Sequence, residues 1–139
     1  MQIYFAGSIR GGGQDRTIYR ELIEELGRYG RVLTEHVAQP QDAERGMTDH
    51  EIYERDMAWL AEADAVVAEV TVPSLGVGYE LAAAEQMGKP TLCLFRPSSG
   101  RSLSAMISGS SFTVREYETV AQASEAIRAF FGPQDPAPS

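Results

Sequence analysis

Two carboxylates have sequence settings that point to chemistry. Glu80 closes the run Pro73-Ser74-Leu75-Gly76-Val77-Gly78-Tyr79-Glu80, where two glycines and a serine precede a helix expected to begin near Gly78. That start puts Glu80 in the first helical turn, where an acid is also a favourable partner for the helix dipole. Asp56 is spaced four residues from both Ile52 and Leu60, so the three share one helical face. A carboxylate in an apolar stripe is costly unless it is paired, functional or at an edge that reaches solvent. Two carboxylates at one sheet edge suit glycosidic chemistry, in which one attacks or stabilises an anomeric carbon and the other handles protons. Tyr4 is either a buried aromatic of the first strand or a hydroxyl that orients Glu80.

Anion binding has its own candidates. Gly7-Ser8-Ile9-Arg10-Gly11-Gly12-Gly13 is a glycine-rich loop between a strand and a helix. Glycines let a backbone approach a phosphate closely, and the N–H groups before a helix point at the anion. Ser8 adds a hydroxyl and Arg10 a fixed charge. The segment fits neither the dinucleotide-binding nor the P-loop fingerprint. Ser104, at the start of a short helix expected over Leu103 to Ile107, is a second hydroxyl donor for a phosphate or an ordinary surface serine. Met106 belongs to the core or to an interface.

These side chains need a frame that gathers them. Gln2 to Ala6, Arg31 to Thr34, Ala65 to Val70, Thr91 to Phe95 and Ser111 to Tyr117 read as strands. Helices are expected from Gln14, with Ile18, Leu22, Ile23, Leu26 and Tyr29 on one stripe and Gly30 as its cap. Others are expected from the capping box Thr48-Asp49-His50-Glu51 to about Ala63, from Gly78 to a stop at Gly88, and from Val120 to Phe131. Ala82 to Ala84 are small enough for the third of these to pack close to the sheet. Strict alternation of strand and helix predicts an α/β fold: a doubly wound, mostly parallel five-stranded sheet with helices on both faces, Rossmann- or flavodoxin-like. Ligands of such sheets bind beyond the carboxyl ends of the strands, where the loops singled out above lie. One catalytic domain over 1–132 is expected, with a polar loop from about Gln39 to Met47 and a proline-rich disordered tail over 133–139.

The 139 residues suit a single core, and 20 acidic against 12 basic side chains leave a net charge of −8. That field argues against a nucleic-acid polymer as partner and for a small phosphorylated ligand held by local donors. Cys93, the single cysteine, reads as a small core residue and implies a reducing compartment. With no apolar run near eighteen residues and no basic-plus-apolar leader, no membrane partner is expected and the location is read as cytoplasmic. His36 and His50 lack ligand company, so no metal is expected, and no cofactor.

With these residues in place, the sequence resembles the 2'-deoxynucleoside 5'-phosphate N-hydrolase family of the nucleoside 2-deoxyribosyltransferase superfamily. The likeness runs through Tyr4-Phe5-Ala6-Gly7-Ser8-Ile9-Arg10-Gly11-Gly12, Val32-Leu33-Thr34-Glu35-His36-Val37 and Asp64-Ala65-Val66-Val67-Ala68-Glu69-Val70. It continues through Pro73 to Leu81, Leu92-Cys93-Leu94-Phe95-Arg96-Pro97, Ser99-Gly100-Arg101 and Leu103-Ser104-Ala105-Met106-Ile107. It implies that Glu80 attacks the anomeric carbon to form a glycosyl-enzyme intermediate, that Asp56 holds the sugar and assists proton transfer to the departing base, and that Tyr4 positions Glu80. It further implies substrate binding by Gly7, Ser8, Ile9, Arg10, Gly11 and Gly12, by Ser74 and Gly76, and by Ser104, Ala105 and Met106. The last three would reach the site of a neighbouring subunit in a homodimer. Water would then release 2-deoxyribose 5-phosphate.

The chain departs from that pattern at Gly13, where vertebrate members are expected to carry a basic residue, and in a shorter loop after Val37. Both bear on base preference and phosphate affinity more than on reaction type. Three other readings stand beside the first: a ribonucleotide (CMP-type) N-glycosidase of the same fold, a non-catalytic nucleotide-binding module, and base transfer in place of hydrolysis.

Overall fold

The computed structural model describes residues 1–8, 13–34 and 46–132. Five strands, β1 (Gln2–Ala6), β2 (Arg31–Val32), β3 (Ala65–Glu69), β4 (Thr91–Phe95) and β5 (Thr113–Glu116), alternate with α1 (Gly13–Leu26), α2 (Asp49–Glu62), α3 (Leu75–Gln86), the short α4 (Ala105–Ser108) and α5 (Val120–Phe131). The sheet order is β2-β1-β3-β4-β5, and every pairing is parallel. β3 is central, as its apolar run implies. The chain leaves β1 toward one edge and returns at β3 to build the other, so the reversal of strand order falls between β1 and β3. The crevice beyond their carboxyl ends is where doubly wound sheets bind ligands.

Helices cover both faces, so the inner strands are apolar on both sides. Ile3 and Phe5 join Tyr19, Leu22, Leu26 and Ile127 in the core under α1 and α5. Their neighbours Tyr4 and Ala6 join Leu60, Val77, Leu81 and Ala84 in the core under α2 and α3. This alternation along β1 puts Tyr4 on the same side of the sheet as the helices that carry Asp56 and Glu80.

Several expected boundaries move, for identifiable reasons. β2 stops at Val32 because the Thr34 hydroxyl takes over the ladder: Phe5 N–H donates to Thr34 Oγ1 at 2.8 Å, and that hydroxyl donates to Phe5 O at 2.7 Å. α1 ends at Leu26, before Tyr29, and Gly30 is not its left-handed cap. A Cβ at Gly30 would lie 2.3 Å from the Met1 carbonyl oxygen, so close approach of two backbones requires the glycine. α3 begins at Leu75, because Ser74 caps it by accepting from Val77 N–H at 3.2 Å. Gly76 and Gly78 are therefore helical, not loop residues. Of Ala82 to Ala84, only Ala84 is fully buried against the sheet. β3 ends at Glu69, β5 is confined to Thr113–Glu116, and the short helix starts at Ala105. The Thr48–Glu51 capping box of α2 forms as its sequence requires, with both reciprocal bonds at 3.1 Å.

Candidate active site

α3 buries Val77, Leu81 and Ala84 against the sheet. Glu80 stands beside that stripe, in the second turn of the helix and not its first. Its partner is Tyr4, whose hydroxyl donates to Glu80 Oε2 from the face of β1 covered by α3. Burial raises the Tyr4 hydroxyl far above its ordinary pKa, followed by the charge and hydrogen bond of Glu80 and then the charge of Asp56, with Arg55 opposing. Tyr4 is thus a fixed proton donor, and Glu80 and Asp56 both act on it on the face of β1 that α2 and α3 cover.

Asp56 occupies the apolar stripe of α2 with its side chain 22 % exposed, held by the residue before it. Arg55 Nε and Nη2 reach Asp56 Oδ1 at 3.0 and 2.9 Å. The guanidinium also lies 4.8 Å from the Trp59 ring centroid, and its Nη1 is 3.3 Å from the sulfur of Met47. The cost of an acid in that stripe is therefore offset by a neighbouring charge. Sequence reasoning passed over Arg55, because residues adjacent on a helix do not share a face; the long arginine folds back to reach Asp56. Nearby, the Tyr53 and Tyr79 hydroxyls lie 3.3 Å apart and tie α2 to α3 beside the two carboxylates.

Gly76 is four residues before Glu80 on the same helix face. A Cβ there would sit 3.9 Å from Glu80 Oε1, so the glycine keeps the carboxylate's surroundings open. Gly7 and Ser8 follow β1 directly, and Ser8 N–H donates to the Tyr19 hydroxyl at 3.1 Å. Ile9, Arg10, Gly11, Gly12 and His36 lie outside the described residues, as does 133–139.

Ser74, Ser104 and Met106 gather elsewhere. They line an apolar groove of about 600 Å³ between α3 and α4, with Leu81, Leu103 and Ile107. Ser104 caps α4 by accepting from Met106 N–H at 3.2 Å, and Ser104, Ala105 and Met106 are all exposed. The groove's lining does not include Tyr4, Asp56 or Glu80, so this groove is not where the carboxylates are. Among the described residues no cluster of three or more His, Cys, Asp or Glu side chains is placed to hold a metal ion.

With this geometry established, comparison with known proteins gives the family. The sequence pattern of the nucleoside 2-deoxyribosyltransferase family matches residues 3–121. The chain belongs to the nucleoside 2-deoxyribosyltransferase family. Among its relatives, the mouse protein named 5-hydroxymethyl-dUMP N-hydrolase is 58 % identical over 123 residues, covering 83 % of this chain and 71 % of that one. The protein of the same name from Esox lucius is 55 % identical over 127 residues, covering 85 % and 88 %. Among solved structures, a CMP N-glycosidase from Clostridium botulinum superposes with a TM-score of 0.72 at 19 % identity, covering 93 % of this chain and 99 % of that one, a likeness of fold. In this nucleoside 2-deoxyribosyltransferase family member, Tyr4 is hydrogen-bonded to Glu80 and feels the charge of Asp56.

Proposed function

We propose that the chain hydrolyses the N-glycosidic bond of 2'-deoxynucleoside 5'-monophosphates, giving free base and 2-deoxyribose 5-phosphate. The observation that carries this reading is the Tyr4 hydroxyl donating to Glu80 beside Asp56. Family membership and the N-hydrolase names of relatives above 50 % identity support it.

Glu80 attacks C1' of the sugar. The C1'–N bond breaks, its electron pair leaves with the base, and a C1'–O bond to Glu80 forms. Asp56 holds the sugar and assists delivery of a proton to the base. Water then attacks C1', loses a proton to a site carboxylate, and frees Glu80. Tyr4 donates to one Glu80 oxygen, which fixes the other for attack. The 5'-phosphate is held by the segment Gly7, Ser8, Ile9, Arg10, Gly11 and Gly12, which supplies affinity for the substrate.

Ser74, Gly76, Ser104, Ala105 and Met106 complete the substrate site in a homodimer, in which α4 reaches a neighbouring subunit. The exposure of Leu75 (96 %) and Met106 (81 %) beside the groove supports that arrangement, since each leaves a large apolar side chain uncovered in the single chain. A cytoplasmic location fits the free, buried Cys93; among the described residues no helix is long and apolar enough to cross a membrane.

Incubation with deoxynucleoside and ribonucleoside 5'-monophosphates and the matching nucleosides, with free base read by chromatography, tests the proposal. Base release from deoxynucleotides, abolished in Glu80→Ala, is expected. Release from ribonucleotides alone assigns CMP-type chemistry, and tight binding without release assigns a binding module.

A further inference from the structure

Four buried side chains with polar groups that the proposed chemistry does not use, Glu69, Thr71, Arg96 and Tyr117, gather in one place. Glu69 ends β3 at 1 % exposure. Its Oε1 accepts from Thr71 N–H at 2.7 Å, and its Oε2 accepts from Thr71 Oγ1 at 2.9 Å and from the Tyr117 hydroxyl. Arg96 follows β4; its N–H donates to Thr71 Oγ1 at 3.0 Å, its Nε lies 3.7 Å from Glu69 Oε2, and its Nη2 pairs with Asp15 in the first turn of α1. Two carboxylates share one guanidinium in the interior. Replacing such a network by apolar side chains is often neutral or stabilising, so its presence points to a geometry it maintains.

That geometry is at the end of β1. Asp15 and Tyr19 are four residues apart on α1 and face the same way. Tyr19 is 1 % exposed, and its ring packs directly on the Gly7 backbone, where an added Cβ would lie 3.1 Å from ring carbons. Its hydroxyl accepts the Ser8 N–H at 3.1 Å. After burial, the charges of Glu69 and Asp15 are what keep the proton on that hydroxyl. The Ser8 N–H is therefore engaged, which leaves the hydroxyl and not the N–H as the group Ser8 can offer a phosphate.

We propose that Tyr19, backed by Asp15, Arg96 and Glu69, is a positioning residue for the substrate's 5'-phosphate, acting by holding Ser8 in the orientation that presents its hydroxyl to the anion. The inference rests on the reading of Ser8 as a phosphate ligand and adds to it how Ser8 is aimed. The reacting carbon is handled by Glu80 and Asp56 on the opposite face of the sheet, so the network governs the phosphate anchor and not the bond-breaking step.

Tyr19→Phe removes the hydroxyl and keeps the ring. Three quantities are measured on the full chain: Kd for 2-deoxyribose 5-phosphate by titration calorimetry, KM and kcat for a deoxynucleoside 5'-monophosphate, and the thermal midpoint. Kd and KM are expected to rise together about tenfold, the order of one lost hydrogen bond, with kcat within about twofold. Glu69→Gln, which keeps the shape and removes the charge, should raise the same Kd by about threefold, and it replaces Tyr19→Phe if that variant does not fold. An unchanged Kd and KM overturns the proposal, whatever happens to the midpoint. A parallel loss of kcat also overturns it, because the effect would then reach the reacting carbon. Wild-type protein that binds 2-deoxyribose 5-phosphate but releases no base refutes the hydrolase reading alone, and the Kd comparison still decides this one. Wild-type protein that does not bind it overturns both.

Discussion

Tyr4 and Glu80, 76 positions apart, meet through a hydrogen bond from the phenol to carboxylate Oε2. The bond spans β1 and α3, elements held by separate sheet contacts. Replacing Tyr4 by Phe leaves the ring in its pocket and removes only the donor. kcat for base release should fall about 10- to 100-fold with KM little changed, the size expected for loss of a positioned donor at the reacting group. Steady-state kinetics at matched folded concentration check this; an unchanged kcat would remove Tyr4 from the site.

Gly76 should show opposed effects on stability and activity. It is helical, and a Cβ would make only ordinary contacts, 3.8 Å from Ser74 Oγ and 3.9 Å from Glu80 Oε1. Gly76→Ala should stabilise α3 by about 0.5–1 kcal/mol through helix propensity. It should also lower kcat/KM, because the added methyl takes up space beside Glu80 Oε1 that the proposed substrate needs. Thermal melts and turnover of the same preparation test both signs.

Gly30→Ala should be damaging without touching the chemistry. The new Cβ would lie 2.3 Å from the Met1 carbonyl oxygen, and backbone cannot move aside as a side chain can. A destabilisation of about 1–3 kcal/mol, typical of overpacking, is expected in urea melts. kcat per folded molecule should be retained.

Alkaline pH should destabilise the fold through four buried acids. Burial raises the hydroxyls of Tyr4, Tyr19 and Tyr117 well above their ordinary range, and it pushes the Cys93 thiol up to about 12. Each keeps its proton when folded and loses it more readily when unfolded. Their contribution is therefore fully present below about pH 9 and is lost as pH rises toward the folded values. Stability from denaturant melts should fall steadily above about pH 9. Absorbance titration at 295 nm should show these three of the six tyrosines ionising only as the chain unfolds.

Much of this was legible in the residues because the signals are local. The alternation of apolar runs with helical stripes foretold the parallel doubly wound sheet, and the Thr48–Glu51 box foretold the start of α2 to the residue. Glu80, Asp56 and Tyr4 could be singled out from local context, as an acid after a glycine-containing run, an acid in an apolar stripe and a phenol on the first strand, although each also had an ordinary structural reading. The sequence also contained a signal that went unread: Glu69 is a charge inside the otherwise apolar run Ala65–Val70, and buried charges need partners. Those partners, Arg96, Tyr117 and Thr71, come from different elements, so no spacing rule could identify them.

The remainder was decided by tertiary structure. β1 is apolar on both faces, so its pattern cannot say which neighbours look toward α2 and α3; only packing assigns Tyr4 to Glu80 and Phe5 to Tyr19. The register of Thr34 against Phe5 replaced backbone pairing by a hydroxyl, and contact with Met1 gave Gly30 a purpose unrelated to helix capping. Composition, periodicity and capping are properties of neighbouring residues and are written in the chain itself. Which side chains share a proton or a charge depends on distances between segments far apart in sequence, and those exist only once the sheet has formed.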